Sequence, residues 1–530
     1  MTSRFEKLPY DPEKLERELK PYFISADDEE IGAMLSELGL SKLEDLFSHI
    51  PDEVKFDKST YSVCRSLSYE EALKQVELLA NNNKINTSFL GQGLAQYRVH
   101  ELIPYVSSIR GLTTAYTPYQ PERSQGTLQT LWVYSSCLSQ LTGFEAINAS
   151  LYERSTCLAE SLNVCLRLHR KGTTVLVSES IFPGDKEVVE TLIKETGVLV
   201  EWVPVDNKTG LTSIEDLKGK AERLSNDKLL AGIIFPQVNS LGLLESVDVL
   251  TDLAASLKVP SVAIFDPMLL ATGGLKPPSR FGSEGQGVDI IVGEGQHLAI
   301  GPNYGGPGLG IFGVRYNSKN KNGIRSTPGR YVGKTKDVEG KECLAMVLST
   351  REQHIRREKA TSNICSNQSF LATLAGAGML ARGEEGMKES CQKGRQNALQ
   401  IIPRLLKREG VSLAYPETPF FNEVALEVNV EAAKLLESAK NKGIDLGVNL
   451  TPQINNQRQL ILLSFSDIHE DSHLESLEAF FVEEFPSEKK GDASFKIPEI
   501  PFNFFFISNI FNFSESILTR LTLVLLSIPP

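Results

Sequence analysis

At 530 residues, with 41% hydrophobic and 23% charged side chains, the chain is too long for one ordinary core and has the make-up of a globular protein of two or three domains. A formal net charge of −12 argues against nucleic acid or an anionic membrane as a general partner. Seven scattered cysteines, an odd number with no Cys-x-x-Cys pair, read as reduced thiols rather than a disulfide framework or zinc site, so no metal is expected.

In chain order, residues 1–28 are polar and read as an arm. They contain no apolar run of the kind a signal peptide needs, so a cytoplasmic protein is expected. Residues 29–50 place Ile31, Met34, Leu35, Leu38 and Leu40 at helical spacing, with Ser25 or Asp27 able to cap the start. The expected division is an arm and helical segment over 1–70, a large α/β domain over 71–365, a small α+β domain over 366–485 and an atypical tail over 486–530.

From residue 128 onward, short β-branched runs alternate with longer amphipathic stretches. The runs fall at 174–177, 198–203, 229–235, 259–265, 288–292 and 309–314. This is the rhythm of βαβ units, and it predicts a mostly parallel sheet with helices on both faces. Ligands on such sheets bind beyond the carboxyl ends of the strands. The residues just past each run therefore draw attention: Ser178, Gln237, Asp266, the stretch Gly293 to His297, and the Gly305-Gly306-Pro307-Gly308 loop. After about residue 366 a helical stretch leads to runs at 421–426 and 460–465, read as strands of a smaller second domain. Residues 500–514 are uncharged and carry six phenylalanines. Neither apolar piece of the tail approaches the roughly 20 residues that span a bilayer. The tail reads as a peripheral anchor or as a foreign extension, and no function is assigned to it.

Two polar segments stand apart. Residues 351–365 run Arg-Glu-Gln-His-Ile-Arg-Arg-Glu-Lys-Ala-Thr-Ser-Asn-Ile-Cys, and residues 116–126 run Tyr-Thr-Pro-Tyr-Gln-Pro-Glu-Arg-Ser-Gln-Gly. Nine of the first fifteen side chains are charged or strongly polar, a density that rarely serves a core. Together these segments resemble the glycine cleavage system P-protein family, specifically the alpha half of members that split the protein in two. The resemblance covers roughly residues 29–485 and stops before the tail.

The resemblance implies a fold-type I pyridoxal-phosphate (PLP) transferase architecture, with a large domain, a small domain and an active site at a subunit interface. Such an enzyme needs a Schiff-base lysine, an aspartate for the pyridine nitrogen and small residues cradling the phosphate. Asp266 follows the 259–265 run and suits the aspartate role, or else it caps the next turn. Where the lysine should stand, this chain has Gln296 and His297, and an imidazole cannot condense with the cofactor aldehyde. Lys276, in Gly-Gly-Leu-Lys-Pro-Pro, precedes the strand in question and reads as part of a surface turn. Members of the family typically carry Asp-Gly-Ala-Thr at the phosphate cradle, whereas this chain has Glu153-Arg154-Ser155-Thr156. Arginine in place of glycine blocks close backbone approach to a phosphate, although Arg154 could instead bind an anion itself.

The chain thus reads as scaffold without the covalent centre. The resemblance implies pairing with a PLP-bearing beta subunit, with Tyr116, Thr117, Tyr119, Gln120, Glu122, Gln125, Arg356, Arg357, Thr361 and Asn363 lining a shared pocket. Arg351, Arg356 or Arg357 would hold the substrate carboxylate, and His354 and Glu352 are acid–base candidates. For each charged residue the plainer alternative is an interface ion pair. The implied reaction decarboxylates glycine on the partner's PLP and passes the aminomethyl group to the lipoyl arm of the H-protein. Two rivals remain: a PLP lyase or decarboxylase complete in this chain, and a non-catalytic scaffold. A nucleotide-binding reading would rest on glycine clusters alone, without the fingerprint order.

Overall fold

A computed structural model describes residues 28–55, 67–94, 96–112, 125–317, 323–347, 356–364, 367–453, 458–489 and 497–501. The chain forms two compact units, residues 1–84 and 85–530. In the first, the helix Asp28–Glu37 is shorter than the 29–50 spacing predicts. Gly39 stops it: at φ +72° it takes the left-handed conformation. Its N–H bonds to the carbonyl of Ser36 while that of Leu40 reaches Leu35, which satisfies the last helical carbonyls. The proposed caps Ser25 and Asp27 lie outside the described residues. A second helix, Tyr69–Asn81, starts on a reciprocal capping box in which Ser68 Oγ accepts from Glu71 N at 3.2 Å and Glu71 Oε2 accepts from Ser68 N at 2.9 Å.

The second unit is built on a seven-stranded sheet. Its strands are β1 (Ala146–Ile147), β2 (Thr174–Ser178), β3 (Leu199–Val203), β4 (Leu230–Pro236), β5 (Ser261–Phe265), β6 (Ile290–Glu294) and β7 (Gly310–Val314), in the order β1-β7-β6-β5-β4-β2-β3. The run β3-β2-β4-β5-β6 is parallel throughout, and β7 pairs antiparallel with β6 and β1. All six β-branched runs read from the sequence are strands. They stood out because a parallel sheet covered on both faces needs apolar side chains pointing both ways. Alternation sorts them: Val175, Val177, Val262 and Ile264 pack into one cluster, with the helix Arg154–Leu168. Leu176, Ala263 and Phe265 pack into the other, with the helix Gln125–Thr142.

A four-stranded antiparallel sheet forms the smaller layer, pairing Glu423–Val428 with Gln459–Ser464 at its centre. The helix Ser369–Leu405, 37 residues long, joins the two cores. Its first half packs Leu371, Leu374 and Met379 into the large core, and its last turns pack Ile401, Ile402 and Leu405 into the small one. It bends at Gly383, whose φ of +60° and ψ of −167° are open to glycine but not to other residues. No described helix is long and apolar enough to cross a membrane.

Candidate active site at the strand ends

Beyond the carboxyl ends of β4, β5 and β6 lies a cavity of about 60 Å³. Separate parts of the chain meet there: Gly93, Gln96 and Tyr97; Arg154; Phe182; Asp266; Glu294 and His297; Glu423 and Ser464 of the small sheet; and Ser466 just past it. This is the position where a fold of this kind places its ligand.

Arg154 is the lining cation among the described residues. It stands at the first position of the helix Arg154–Leu168, and its guanidinium grips Asp185 through two bonds, Nε to Oδ2 at 2.6 Å and Nη2 to Oδ1 at 3.1 Å. A third bond runs from Nη1 to the Gly93 carbonyl at 3.1 Å, and the group lies 4.1 Å above the Phe182 ring. Ser155 Oγ adds a bond to Asp185 at 2.7 Å. The pair is buried, with side-chain exposures of 12% and 3%. Gly93 is required by this contact: at φ +91°, a Cβ there would meet Arg154 Nη2 at 2.5 Å. Arg154 therefore does bind an anion, as one sequence reading allows, but the anion belongs to the protein.

The helix start is equally committed. Glu153 caps it, Oε1 accepting from Thr156 N at 3.0 Å, and Glu294 Oε2 accepts from Arg154 N at 3.2 Å. Glu294 also takes Leu309 N at 2.7 Å and Gln296 N at 2.9 Å through Oε1, and burial pushes its carboxyl above the usual range. Two carboxylates thus occupy donors that a phosphate would use.

Asp266 accepts from Met268 N at 2.8 Å, so it does cap the following turn, and its Oδ1 also lies 3.0 Å from His297 Nε2. The Asp266–His297 approach is an ion-pair distance without hydrogen-bond alignment, and both ring nitrogens of the buried His297 are left without a hydrogen bond. Gln296 turns away from the cavity, donating to the carbonyls of Pro302 at 3.3 Å and Pro307 at 3.0 Å and so holding the loop after β6. Lys276 is no free surface lysine: Nζ is paired with Asp248 at 2.5 Å and is mostly buried, away from the cavity.

The residues present do not fit PLP. Ligand pockets usually enclose ~300–1,000 Å³, against about 60 Å³ here. A phosphate at the helix start would face the carboxylates of Glu153 and Glu294, each unit pair at ~4 Å costing about 4 kcal/mol at an effective dielectric of 20. The imidazole of His297 supplies no amine.

Glu423 is the most perturbed carboxyl in the cavity. Burial pushes it up to about 7, opposed by hydrogen bonds from Gln92 N, at 2.9 Å, and from Ser464. Unfolded, it titrates near 4.5. The folded state therefore holds this proton more tightly, and the associated stability, full below 4.5, is lost as pH rises towards 7. Glu423→Gln should remove that dependence: between pH 5 and 8 the variant should gain on the parent by about 3 kcal/mol, read from urea unfolding at both pH values. A constant difference would show that Glu423 is not perturbed.

The other predicted residues are placed as follows. Tyr116, Thr117, Tyr119, Gln120, Glu122, Arg351, Glu352 and His354 lie outside the described residues. Gln125 opens the helix Gln125–Thr142. Arg356 and Arg357 are exposed at a single turn, and Asn363 is exposed nearby. Thr361 bonds through Oγ1 to the Thr327 carbonyl at 3.0 Å and lines a cleft shared with Ser261 and Asp289, at the amino ends of β5 and β6 and so opposite the cavity. Reasoning from sequence missed Asp185, Phe182, Tyr97 and Glu423. Of these only Asp185, an acid in the first turn of the helix Pro183–Ile193, gave a local signal, and that signal reads as helix capping.

Comparison with known proteins places the family and the fold. The profile of the family described as glycine cleavage system P-protein matches residues 21–481. A protein of Nitrosomonas europaea named probable glycine dehydrogenase (decarboxylating) subunit 1 is 37% identical over 428 residues, covering 81% of this chain and 91% of its own. A protein of the same name from Moorella thermoacetica is 35% identical over 451 residues, covering 84% and 96%. The crystal structure of an inhibitor-bound glycine decarboxylase (P-protein) superposes with a TM-score of 0.71 at 31% identity, over 86% of this chain and 98% of that one. A sphingosine-1-phosphate lyase of Burkholderia pseudomallei, 11% identical with a TM-score of 0.56 over 90% of this chain and 97% of that one, shares the fold alone. With the sheet order, the strand-end cavity and the match over most of its length, the chain belongs to the glycine cleavage system P-protein family.

Proposed function

We propose that this chain is subunit 1 of a two-part glycine dehydrogenase (decarboxylating), working in the cytoplasm and active only in complex with a second subunit that carries PLP. The observation that supports this reading is the cavity's lining, where Arg154 is tied to Asp185 and stacked on Phe182 and His297 stands where the resemblance expects a lysine. The relatives named subunit 1 support a divided enzyme. In this reading the partner's cofactor stabilises the charge left when glycine loses its carboxylate. The chain's own part is to bind and orient: Arg351, Arg356 or Arg357 fixes the carboxylate, His354 and Glu352 hold or move protons, and Tyr116, Tyr119, Gln120 and Glu122 line the pocket. The aminomethyl group then passes to the lipoyl arm of the H-protein, which enters between the subunits.

Co-expression with the candidate PLP-bearing subunit tests this directly. Glycine–bicarbonate exchange should require both chains, and this chain purified alone should show no cofactor absorbance. Exchange no greater than that of the partner by itself, or a cofactor band on this chain, would overturn the assignment.

A further inference from the structure

The helix Arg154–Leu168 does more than open at the cavity. Glu160 and Arg167 stand two turns apart on it and so share one face. Both reach the polar segment that carries Arg356 and Arg357. Glu160 Oε1 accepts from Ser362 Oγ at 2.5 Å. Arg167 donates through Nη2 to the Thr361 carbonyl at 2.5 Å and through Nη1 to the Ser326 carbonyl at 3.0 Å. Thr361 Oγ1 in turn donates to the Thr327 carbonyl at 3.0 Å, and Ser362 Oγ accepts from Ile364 N at 3.1 Å. Glu160 is 8% exposed, and burial pushes its carboxyl above the usual range, opposed by the Ser362 bond and the nearby Arg167 charge. Charged groups so placed are costly, and an apolar pair of like volume would avoid the cost. What they provide is attachment: the backbone of residues 360–364 lies in no helix or strand, so these bonds fix it. Just upstream, Arg356 and Arg357 are exposed, and Ala360 N closes the turn onto the Arg357 carbonyl at 3.2 Å. Four residues separate Arg357 from Thr361, at most about 14 Å of chain at ~3.5 Å per residue.

We propose that Glu160 and Arg167 are positioning residues for the reaction, clamping residues 361–364 so that Arg356 or Arg357 is presented to the glycine carboxylate at a fixed place. This deepens the subunit reading above and rests on it. The clamp residues themselves touch no substrate. A carboxylate gripped by two guanidinium N–H groups tolerates little displacement, and a misplacement of about 1 Å can cost ~100-fold. An exposed turn does not hold that precision unaided. The helix Arg154–Leu168 supplies it, because Leu158, Leu162 and Cys165 seat the helix in the core beside the parallel sheet. The clamp also divides the polar segment by role. Thr361 and Ser362 turn to the body of the protein, while Arg356, Arg357 and Asn363 stay exposed.

The test uses the complex with the PLP-bearing subunit and glycine–bicarbonate exchange. Glu160→Ala and Ser362→Ala should each raise KM for glycine about tenfold and leave kcat within about twofold, because binding before the chemical step is what loosens. Glu160→Gln keeps an oxygen for the Ser362 hydroxyl and should return KM to within about threefold of the parent. Joined to the Arg356→Ala or Arg357→Ala change that itself impairs the enzyme, Ser362→Ala should add less than about twofold, since the clamp acts through that arginine. In the full-length chain alone, trypsin should cut after Arg356 and Arg357 about tenfold faster in Ser362→Ala, read by mass spectrometry. An arginine variant that is impaired while both clamp variants bind glycine as the parent does would overturn the clamp and leave the subunit reading standing. Exchange no greater than the partner's own would overturn that reading and the clamp with it. Glu160→Gln as damaged as Glu160→Ala, or full additivity with the arginine change, would overturn the clamp alone.

Discussion

Arg154→Ala should lower the unfolding free energy by about 3–5 kcal/mol, the largest loss expected from any single side chain at the strand ends. The ground is the state of Asp185 afterwards. Its carboxylate is 3% exposed and would keep only the Ser155 hydroxyl as partner. The truncation also empties the space over Phe182 and beside Gly93, adding a cavity term. The double variant Arg154→Ala with Asp185→Ala should be less damaged than the sum of the two single changes, since removing both charges leaves neither stranded. Urea unfolding of the four proteins measures this coupling. Strict additivity, or a loss below ~1 kcal/mol for Arg154→Ala, would show that the ion pair does not stabilise the fold at the strand ends.

The second large effect is catalytic. In the complex with the PLP-bearing subunit, one of Arg351→Ala, Arg356→Ala and Arg357→Ala should cut kcat/KM for glycine by about 100-fold, equivalent to ~3 kcal/mol of lost carboxylate binding. The lysine variant at that position should recover only part of the loss, because an ammonium cannot reproduce a two-pronged grip. The other two changes should stay within a few-fold of the parent. Arg356 and Arg357 are exposed, as a residue serving a neighbouring subunit would be, while Arg351 lies outside the described residues. Full activity in all three variants would favour the scaffold reading, with these arginines serving as interface ion pairs.

What could be read from the sequence followed from locality. Six of the seven strands of the large sheet are visible because burial on both faces forces unbroken β-branched runs, as in Thr174–Ser178 and Ser261–Phe265. The resemblance expects a lysine just past a strand, and the sequence alone shows that Gln296 and His297 stand there. The length of the first helix was overestimated, since helical spacing continues past Gly39 although the backbone does not. Most of the cavity was hidden for a different reason. Arg154 meets Asp185 and Phe182 from the next helix, Tyr97 lies beside His297 at a ring separation of 5.2 Å, and Glu423 comes from the small sheet. Contacts across such separations leave no periodic trace in a single sequence. The two polar segments that carried the family resemblance fall largely outside the described residues, so their role rests on that resemblance and on the arginine variants.

The mutual grip of Glu153, Arg154, Asp185 and Glu294 also bears on how such a chain can change over generations. Placing a lysine at position 297 alone would leave Glu153 and Glu294 on the helix start, while clearing Arg154 alone would strand Asp185. Single substitutions at these positions are therefore costly taken one at a time, so the arrangement resists stepwise change.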